Sequence, residues 1–354
     1  MLLSAVAFVI VFGVVVLVHE LGHFVLAKLG KITILEVGLG YPPRVKTLAV
    51  RDNIEYTLNA IPLGGFVRML GEEDPSDPGS FASKSARVRI RTLLAGPLMN
   101  VLLAVLLFSG LYMLGEQVLV GRVSIQSVAP NSPAEQAGLQ PGDVILSLQG
   151  QEVRNTLELV QSTRTFLGQE ISMSVLRGEQ ELVVHLIPRK QPPAGEGAMG
   201  VSIGMAEGYE IQTIRHPIWE AIPLGLRETG ATLVAMVGGF VQIFRGRVPA
   251  SQIAGPVGIF QITGEVARTG LANLISFTAF LSLNLSILNL LPVPALDGGR
   301  IAFILLEKIR GGRRMAPQHE GLVNLIGLLV LLAFVAVVSY FDILRLFSGQ
   351  SLLP

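Results

Sequence analysis

His19-Glu20-Leu21-Gly22-His23 is the group of residues in this chain best equipped for chemistry. On a helix, His19 and His23 stand at i and i+4 and project two imidazoles from one face, where they can hold one metal ion. Glu20 lies beside that face, within reach of a water on the metal. Zinc brings the pKa of such a water to about 7, and a carboxylate can then take its proton. This is the pattern of a zinc hydrolase. Its setting is unusual, because the motif lies inside an apolar run from Leu2 to Leu29, long enough to span a bilayer. Ionisable groups at membrane depth are costly and are retained for function.

A catalytic zinc takes three protein ligands and keeps one position open. The 354 residues include no cysteine, so every ligand must be an imidazole or a carboxylate. The best source of a third ligand is Asn289-Leu290-Leu291-Pro292-Val293-Pro294-Ala295-Leu296-Asp297-Gly298-Gly299-Arg300. Pro292 and Pro294 remove backbone donors and end a helix. Gly298 and Gly299 permit backbone shapes closed to other residues. Broken backbone at membrane depth is tolerated where it lines a cavity, which makes Asp297 the expected ligand. Alone, the same segment reads as an ordinary turn leaving the membrane. Ser282, Ser286 and Asn289, at i, i+4 and i+7, add polar groups to one face of the preceding helix.

The elements that must position these groups follow from composition. Half the residues are hydrophobic and 15% are charged, the balance of a membrane protein with a soluble part. A net charge of +1 gives no sign of a nucleic-acid partner. Four segments have the length and apolarity of spans: Leu2–Leu29, Thr92–Leu114, Asn273–Leu291 and Leu322–Phe341. The first has no basic leader and no small-residue cleavage site, so it is expected to be retained. The connections Lys28–Arg91 and Arg300–Arg314 are rich in Lys and Arg, including Arg310-Gly311-Gly312-Arg313-Arg314, and are expected on the cytoplasmic side. Residues 116–270 and both termini then lie outside. Thr229–Phe244 is a fifth apolar stretch. A crossing there would put His23 and Asp297 on opposite faces, so residues 217–246 are read as an interfacial or partly embedded amphipathic helix.

Between the first two spans, Arg44–Val50 and Ile54–Ala60 alternate in polarity around an Arg51-Asp52-Asn53 turn, and Thr33–Gly40 makes a third strand. Residues 116–206 are β-rich. Ser132-Pro133-Ala134, Ala137-Gly138-Leu139 and Gly142-Asp143-Val144-Ile145, followed by Gly150-Gln151-Glu152-Val153, resemble a bacterial PDZ domain. That resemblance places strands at Arg122–Val128, Val144–Leu148, Ile171–Arg177 and Glu181–Pro188, and a helix at Thr156–Thr165. Gly200, Val201, Ser202 and Ile203 would form the groove strand, with Gly197–Gly200 as a carboxylate-binding loop. PDZ domains take an extended peptide by strand addition, so a C-terminal peptide tail is an expected partner.

HExxH in a first span, Asn-x-x-Pro-x-Pro-x-x-Asp-Gly at a late one and a PDZ domain between them resemble the site-2 protease family of intramembrane zinc metalloproteases. Within it the chain is similar to the bacterial regulator-of-sigma-E branch, but carries one PDZ domain where that branch has two. The resemblance covers essentially the whole chain. It implies one zinc on His19, His23 and Asp297, with Glu20 as general base and Asn289 holding the substrate backbone. Gly96-Pro97-Leu98-Met99-Asn100 matches a further signature, readable as tight helix packing around a buried amide. The implied activity is cleavage of single-span membrane proteins, of anti-sigma-factor or remnant-signal-peptide type, after a first cut outside. The implied location is the bacterial cytoplasmic membrane, with the active site toward the cytoplasm and the PDZ domain extracytoplasmic.

A helix must be unwound before its peptide bond can be attacked, and the freed backbone groups then need partners. A strand edge is the natural source. Ile54–Ala60 (Ile54, Tyr56, Leu58) or Thr33–Gly40 (Gly38, Gly40) is expected to supply it, next to Pro292 and Pro294. The expected fold is thus an α-helical multi-span membrane protein of about four spanning helices, with a membrane-associated β-hairpin and an inserted PDZ domain. The domains are 1–115, 116–206, 207–270 and 271–354. A PDZ scaffold with a non-catalytic zinc site is the alternative, disfavoured because such a site needs no Glu20. A transporter ranks behind both, since no inverted repeat is evident.

Overall fold

The computed structural model of the chain describes residues 2–193, 195–247, 254–312 and 317–347. Arg313 and Arg314, part of the basic run noted above, lie outside the described residues. In chain order the elements begin with α1 (Leu2–Leu29), β1 (Ile34–Arg51), β2 (Ile54–Met69) and α2 (Ala86–Leu114). Next come β3 (Glu116–Val120), β4 (Val123–Val128), α3 (Pro133–Gln136), β5 (Val144–Leu148), β6 (Gln151–Glu152) and α4 (Thr156–Thr165). Strands β7 (Ile171–Arg177), β8 (Gln180–Leu186), β9 (Val201–Met205) and β10 (Glu210–Ile214) follow. The chain ends with helices α5 (Ile218–Phe244), α6 (Pro256–Thr269), α7 (Leu271–Leu290), α8 (Asp297–Ile309) and α9 (Pro317–Phe347). Two compact units result, one from Met1–Met113 with His216–Pro354, the other Leu114–Arg215.

In the first unit, α1, α2, α7 and Gln318–Phe347 of α9 are long and apolar enough to cross a bilayer. These are the four segments expected from hydropathy: α1 has the expected bounds, α2 and α9 are longer by several residues, and α7 is shifted by one or two. Helix α1 is apolar all round, yet it buries one stripe: Ser4, Ala7, Val11, Val15, His19, Gly22, His23 and Ala27. The spacing of three and four marks a single helical face, so both histidines sit on the packed side.

Helix α5 is one continuous helix, preceded by Pro217 at its N-cap, and is not among the spanning candidates. One of its faces packs through Leu233 and Met236 on Ala104 and Phe108 of α2 and Ala279 and Leu283 of α7. Helix α6 falls in the stretch read from sequence only as a connection. It is capped by the buried Asp342 of α9, whose carboxylate accepts the Gly258 N–H at 2.8 Å. Its Phe260 meets Phe8 of α1 edge-on, with centroids 5.3 Å apart.

The expected strands 33–40 and 44–50 are one long strand, β1, and β2 extends past Ala60 to Met69. Asp52 and Asn53, both at positive φ, make the hairpin turn. The register folds this ribbon back on itself. Arg44–Arg51 pairs with Ile54–Asn59, and Ile34–Leu39 pairs antiparallel with Gly65–Met69. Glu36–Leu39 is also matched, in ascending register, with Glu55–Leu58. Glu36 pins the arrangement: its carboxylate accepts from Thr57 Oγ1 at 2.8 Å, Arg44 Nη2 at 2.8 Å and Arg68 Nη2 at 2.9 Å.

The second unit has its own core of Val123, Ile125, Ile145, Leu148, Leu159, Ile171, Met173 and Val175, all at most 1% exposed. Its sheet runs β8-β7-β5-β4-β9, with β6 beside β5, and α4 packs against it. Helix α4 and strands β5 and β7 have the bounds expected from sequence. The unit also contains a β3–β10 ribbon that the sequence did not announce.

Candidate metal centre

His19 Nε2, His23 Nε2 and Asp297 Oδ2 converge to a triangle with sides of 3.1, 3.2 and 3.3 Å. Tetrahedral zinc with bonds of about 2.0–2.1 Å sets its ligand atoms about 3.3 Å apart, so the donor set and its size fit that ion. Asp297 Oδ2 is buried and faces no polar partner apart from the two rings. Among the described residues this is the one cluster of histidine and carboxylate groups close enough to share a metal. Asp297 opens α8 rather than closing a turn. The Leu291–Leu296 break sends the chain back on itself, and Gly298 and Gly299 pack against the carbonyls of Leu290, Leu291 and Val293 too closely for a side chain.

Helix α2 forms the floor. Gly22 of α1 meets the Ala95 carbonyl so closely that a Cβ could not be accommodated. Gly96 lies directly under both imidazoles. His23 Nδ1 is 2.8 Å from the Thr92 carbonyl. A carbonyl only accepts, so Nδ1 carries the proton and Nε2 keeps its lone pair for a metal. Asn100, fully buried, lies 3.4 Å from His19 Nδ1. Helix α7 is tied to α2 by Ser282 Oγ, which donates to the Asn100 carbonyl at 2.8 Å, and Ser286 Oγ, which donates to the Pro97 carbonyl at 2.9 Å. With both serines engaged, the third polar residue of that face, Asn289, turns to the centre, 3.5 Å from His19 Nε2.

Glu20 is held from the other side. The Val67 N–H donates to Glu20 Oε2 at 3.0 Å. The cavity over the metal position is lined by Val16, His19, Glu20, His23, Tyr41, Phe66, Val67, Arg68, Met69, Asn289 and Asp297, among others. Gly65–Met69 is therefore the strand next to the centre, paired with β1 on one side and facing Glu20 on the other.

The strands expected at that place lie elsewhere. Tyr56 and Leu58 are matched on both sides, as is Gly38, so none of these has a free edge, and Ile54, beside the hairpin turn, is matched with Arg51. Ile54 is buried in a cluster with Ile34, Val67 and Met69, against which Tyr56 packs. Gly38 lies under the Phe66 ring, and Gly40, at φ +81°, has no room for a Cβ beside the Ile61 carbonyl. These residues build the sheet and do not line the cavity. Pro292 and Pro294 do not line it either; Ala295 and Leu296 do, while Pro294 packs on Gly327 of α9.

In the second unit, β9 is the end strand of its sheet, paired with β4 on one side. A groove between β9 and α4 is lined by Leu159, Thr163, Met199, Val201 and Ile203. Gly200, at φ +77°, turns the chain into it, and Ser202 sits opposite Ser127. This is the arrangement of a PDZ domain.

The sequence pattern of peptidase family M50 matches residues 7–334, nearly the whole chain and every group just described. The chain belongs to peptidase family M50. It is a zinc metalloprotease of the site-2 protease type and a bacterial membrane protein. The zinc metalloprotease RasP of Oceanobacillus iheyensis is 29% identical, covering 97% of this chain and 99% of its own. RasP of Geobacillus kaustophilus is also 29% identical, over 97% and 98%. A protein of Clostridium acetobutylicum is 31% identical over 95% of this chain and 96% of its own. Among solved structures, the PDZ domain of an SdrC-like protein from Listeria monocytogenes covers 25% of this chain at 18% identity, with a TM-score of 0.22. The PDZ domain of HtrA3 bound to a phage-derived ligand covers 26% at 21% identity, with a TM-score of 0.17.

For this M50 protease, the sequence pattern names His19, Glu20, His23 and Asp297, which the structure brings together, but not what holds them. Thr92, Val67 and Arg300 act through backbone or through distant pairs. Arg300 Nη1, for instance, ties α8 to Glu72 at 2.6 Å. Gly96 and Asn100 do have a signal, the Gly-Pro-x-x-Asn spacing, but by itself it points to helix packing.

Proposed function

We propose that this protein is an intramembrane endopeptidase that carries out regulated intramembrane proteolysis. It cuts single-span membrane proteins within or near the span, after a first cut on the extracytoplasmic side. Its substrates are of the anti-sigma-factor or remnant-signal-peptide type. The observation that carries the reading is the His19–His23–Asp297 triangle, with Glu20 beside it, on a helix of membrane-spanning length. The inner ends of α1 and α2 carry Lys28, Arg87, Arg89 and Arg91, which supports a cytoplasmic-side centre and an extracytoplasmic PDZ domain.

His19, His23 and Asp297 would hold the ion. When bound, zinc polarises a peptide carbonyl and acidifies the attacking water. Glu20 takes that proton and hands it to the departing amine nitrogen, the two transfers expected of a single general base. The Val67 N–H keeps the carboxylate turned toward the cavity. The outward backbone groups of Gly65–Met69 offer an unwound substrate a strand to pair with, replacing the hydrogen bonds it lost with its helix. Asn289, on the opposite wall, is placed to hold the substrate backbone at the bond to be cut. In the PDZ domain, the β9 edge and the Gly197–Gly200 loop take a C-terminal peptide tail by strand addition.

Zinc content and cleavage of a reporter membrane helix, measured on wild type and Glu20→Gln, test this reading. Zinc retained with cleavage lost supports it. Undiminished cleavage by the variant removes Glu20 as base, and a wild-type protein without zinc removes the whole centre.

A further inference from the structure

Each zinc-site histidine has one ring nitrogen at the metal position and one facing α2. For His23 the second nitrogen meets a backbone carbonyl, Thr92 O. For His19 it meets the side-chain amide of Asn100, 3.4 Å away. A fully buried amide is costly unless it is used. This one is 0% exposed: its Nδ2 lies 3.4 Å from His19 Nδ1 while its Oδ1 has no partner, so exchanging the two ends of the amide would turn Oδ1 to the ring. His19 is thus the only side-chain partner recorded for it among the described residues. Its backbone is fixed as well, because Ser282 Oγ holds the Asn100 carbonyl at 2.8 Å.

The chemistry decides which end of the amide faces the ring. With Nε2 at the metal position, His19 Nδ1 bears a hydrogen and can only donate. The two ends of a carboxamide have nearly the same outline, so hydrogen bonding sets the choice. An NH₂ there would oppose donor to donor, whereas Oδ1 accepts. We propose that Asn100 is a positioning residue of the metal centre: its Oδ1 accepts the His19 Nδ1–H, fixing the tautomer and the ring plane that present Nε2 to zinc. One face of α2 then serves both imidazoles, through Thr92 for His23 and Asn100 for His19, with Gly96 making room between them. The inference rests on His19 as a zinc ligand. It gives the Gly-Pro-x-x-Asn spacing a task beyond helix packing.

The test is competitive zinc titration of the metal-stripped full chain in detergent. The variants are Asn100→Ala, Asn100→Asp and His19→Ala, with the visible spectrum of the cobalt-substituted protein as a second readout. Outer-shell partners of metal-bound histidines typically contribute 10–100-fold in affinity, and that loss is expected for Asn100→Ala. Asn100→Asp should bind zinc at least as tightly as wild type with an unchanged cobalt spectrum, because a carboxylate accepts and cannot donate. A residue that merely fills space would show no such rescue. Wild-type affinity in Asn100→Ala, with zinc lost in His19→Ala, overturns the proposal alone. An Asn100→Asp protein that binds more weakly than Asn100→Ala also overturns it, since the amide would then be a donor. Zinc held at wild-type affinity by His19→Ala overturns the ligand assignment and the proposal together.

Discussion

Gly96 shows how little tolerance the centre has at the scale of one residue. A Cβ there would lie 2.7 Å from His19 Cε1 and closer still to His23 Nε2. Alanine is the better helix former by about 1 kcal/mol, so Gly96→Ala should not unfold α2. It should instead push both rings off the metal position. The expected result is at least tenfold weaker zinc binding with an unchanged or raised melting temperature. Gly110→Ala, on the same helix with nothing within 4 Å of its added carbon, should leave zinc binding unchanged. Calorimetric zinc titration of the two variants side by side checks this, and equal affinities would remove the steric account. Sequence could name His19, Glu20 and His23 because their spacing is local. It named Asp297 because the two prolines and two glycines around it mark broken backbone. It could not see that the same helix face carries Gly96 and Asn100 to the rings, since that contact joins positions 81 residues apart.

At the scale of elements, α8 must be held so that its first residue reaches α1. Arg89 of α2 and Glu307 of α8 make the clamp, with both Glu307 oxygens within 2.9 Å of Arg89 Nη2. Arg89 is 6% exposed. Removing one partner of a buried pair costs about 3–5 kcal/mol because the other charge is stranded, while apolar replacement of both is often neutral. Glu307→Leu should therefore lower the unfolding midpoint in detergent, and Arg89→Met with Glu307→Leu should recover most of it. Equal loss in the single and double variants would show that the clamp does not act as a pair. The spanning helices were legible from hydropathy to within a few residues. Helices α6 and α8 were not, since each is short and begins at Gly or Pro signals that read as a loop. The β-ribbon was legible as strands but not as pairing. Alternation marks Ile54–Ala60 as a strand, but which strand ends at the edge depends on partners brought in from Gly65–Met69.

At the scale of the whole molecule, the chain folds as two compact units, and charge tuning in one can be read independently of the metal position in the other. In the PDZ domain, Asp143 is 1% exposed and is gripped by Arg177, with Nε to Oδ1 at 2.7 Å and Nη2 to Oδ2 at 2.8 Å. The Gln140 N–H adds a third bond at 2.8 Å. The Arg177 hydrogen bonds hold the Asp143 carboxyl below the usual aspartate range. A group whose folded pKa is depressed stabilises the fold above its unfolded value, about 3.9. That contribution fades as pH falls from there through the lower folded value. At pH 7 it is fully present, so Asp143→Asn should speed hydrogen exchange in β5 and β7 by about tenfold or more. As pH falls below the unfolded value of about 3.9, the gap between wild type and variant should narrow as the wild-type carboxyl takes up its proton. Exchange measured on the full chain across this range also reports on α1 and α2, where no change is expected and zinc content should stay at the wild-type level. A gap that persisted unchanged into strong acid would mean that Asp143 acts through shape and not charge. Zinc lost on Asp143→Asn would mean that the two units are not energetically independent.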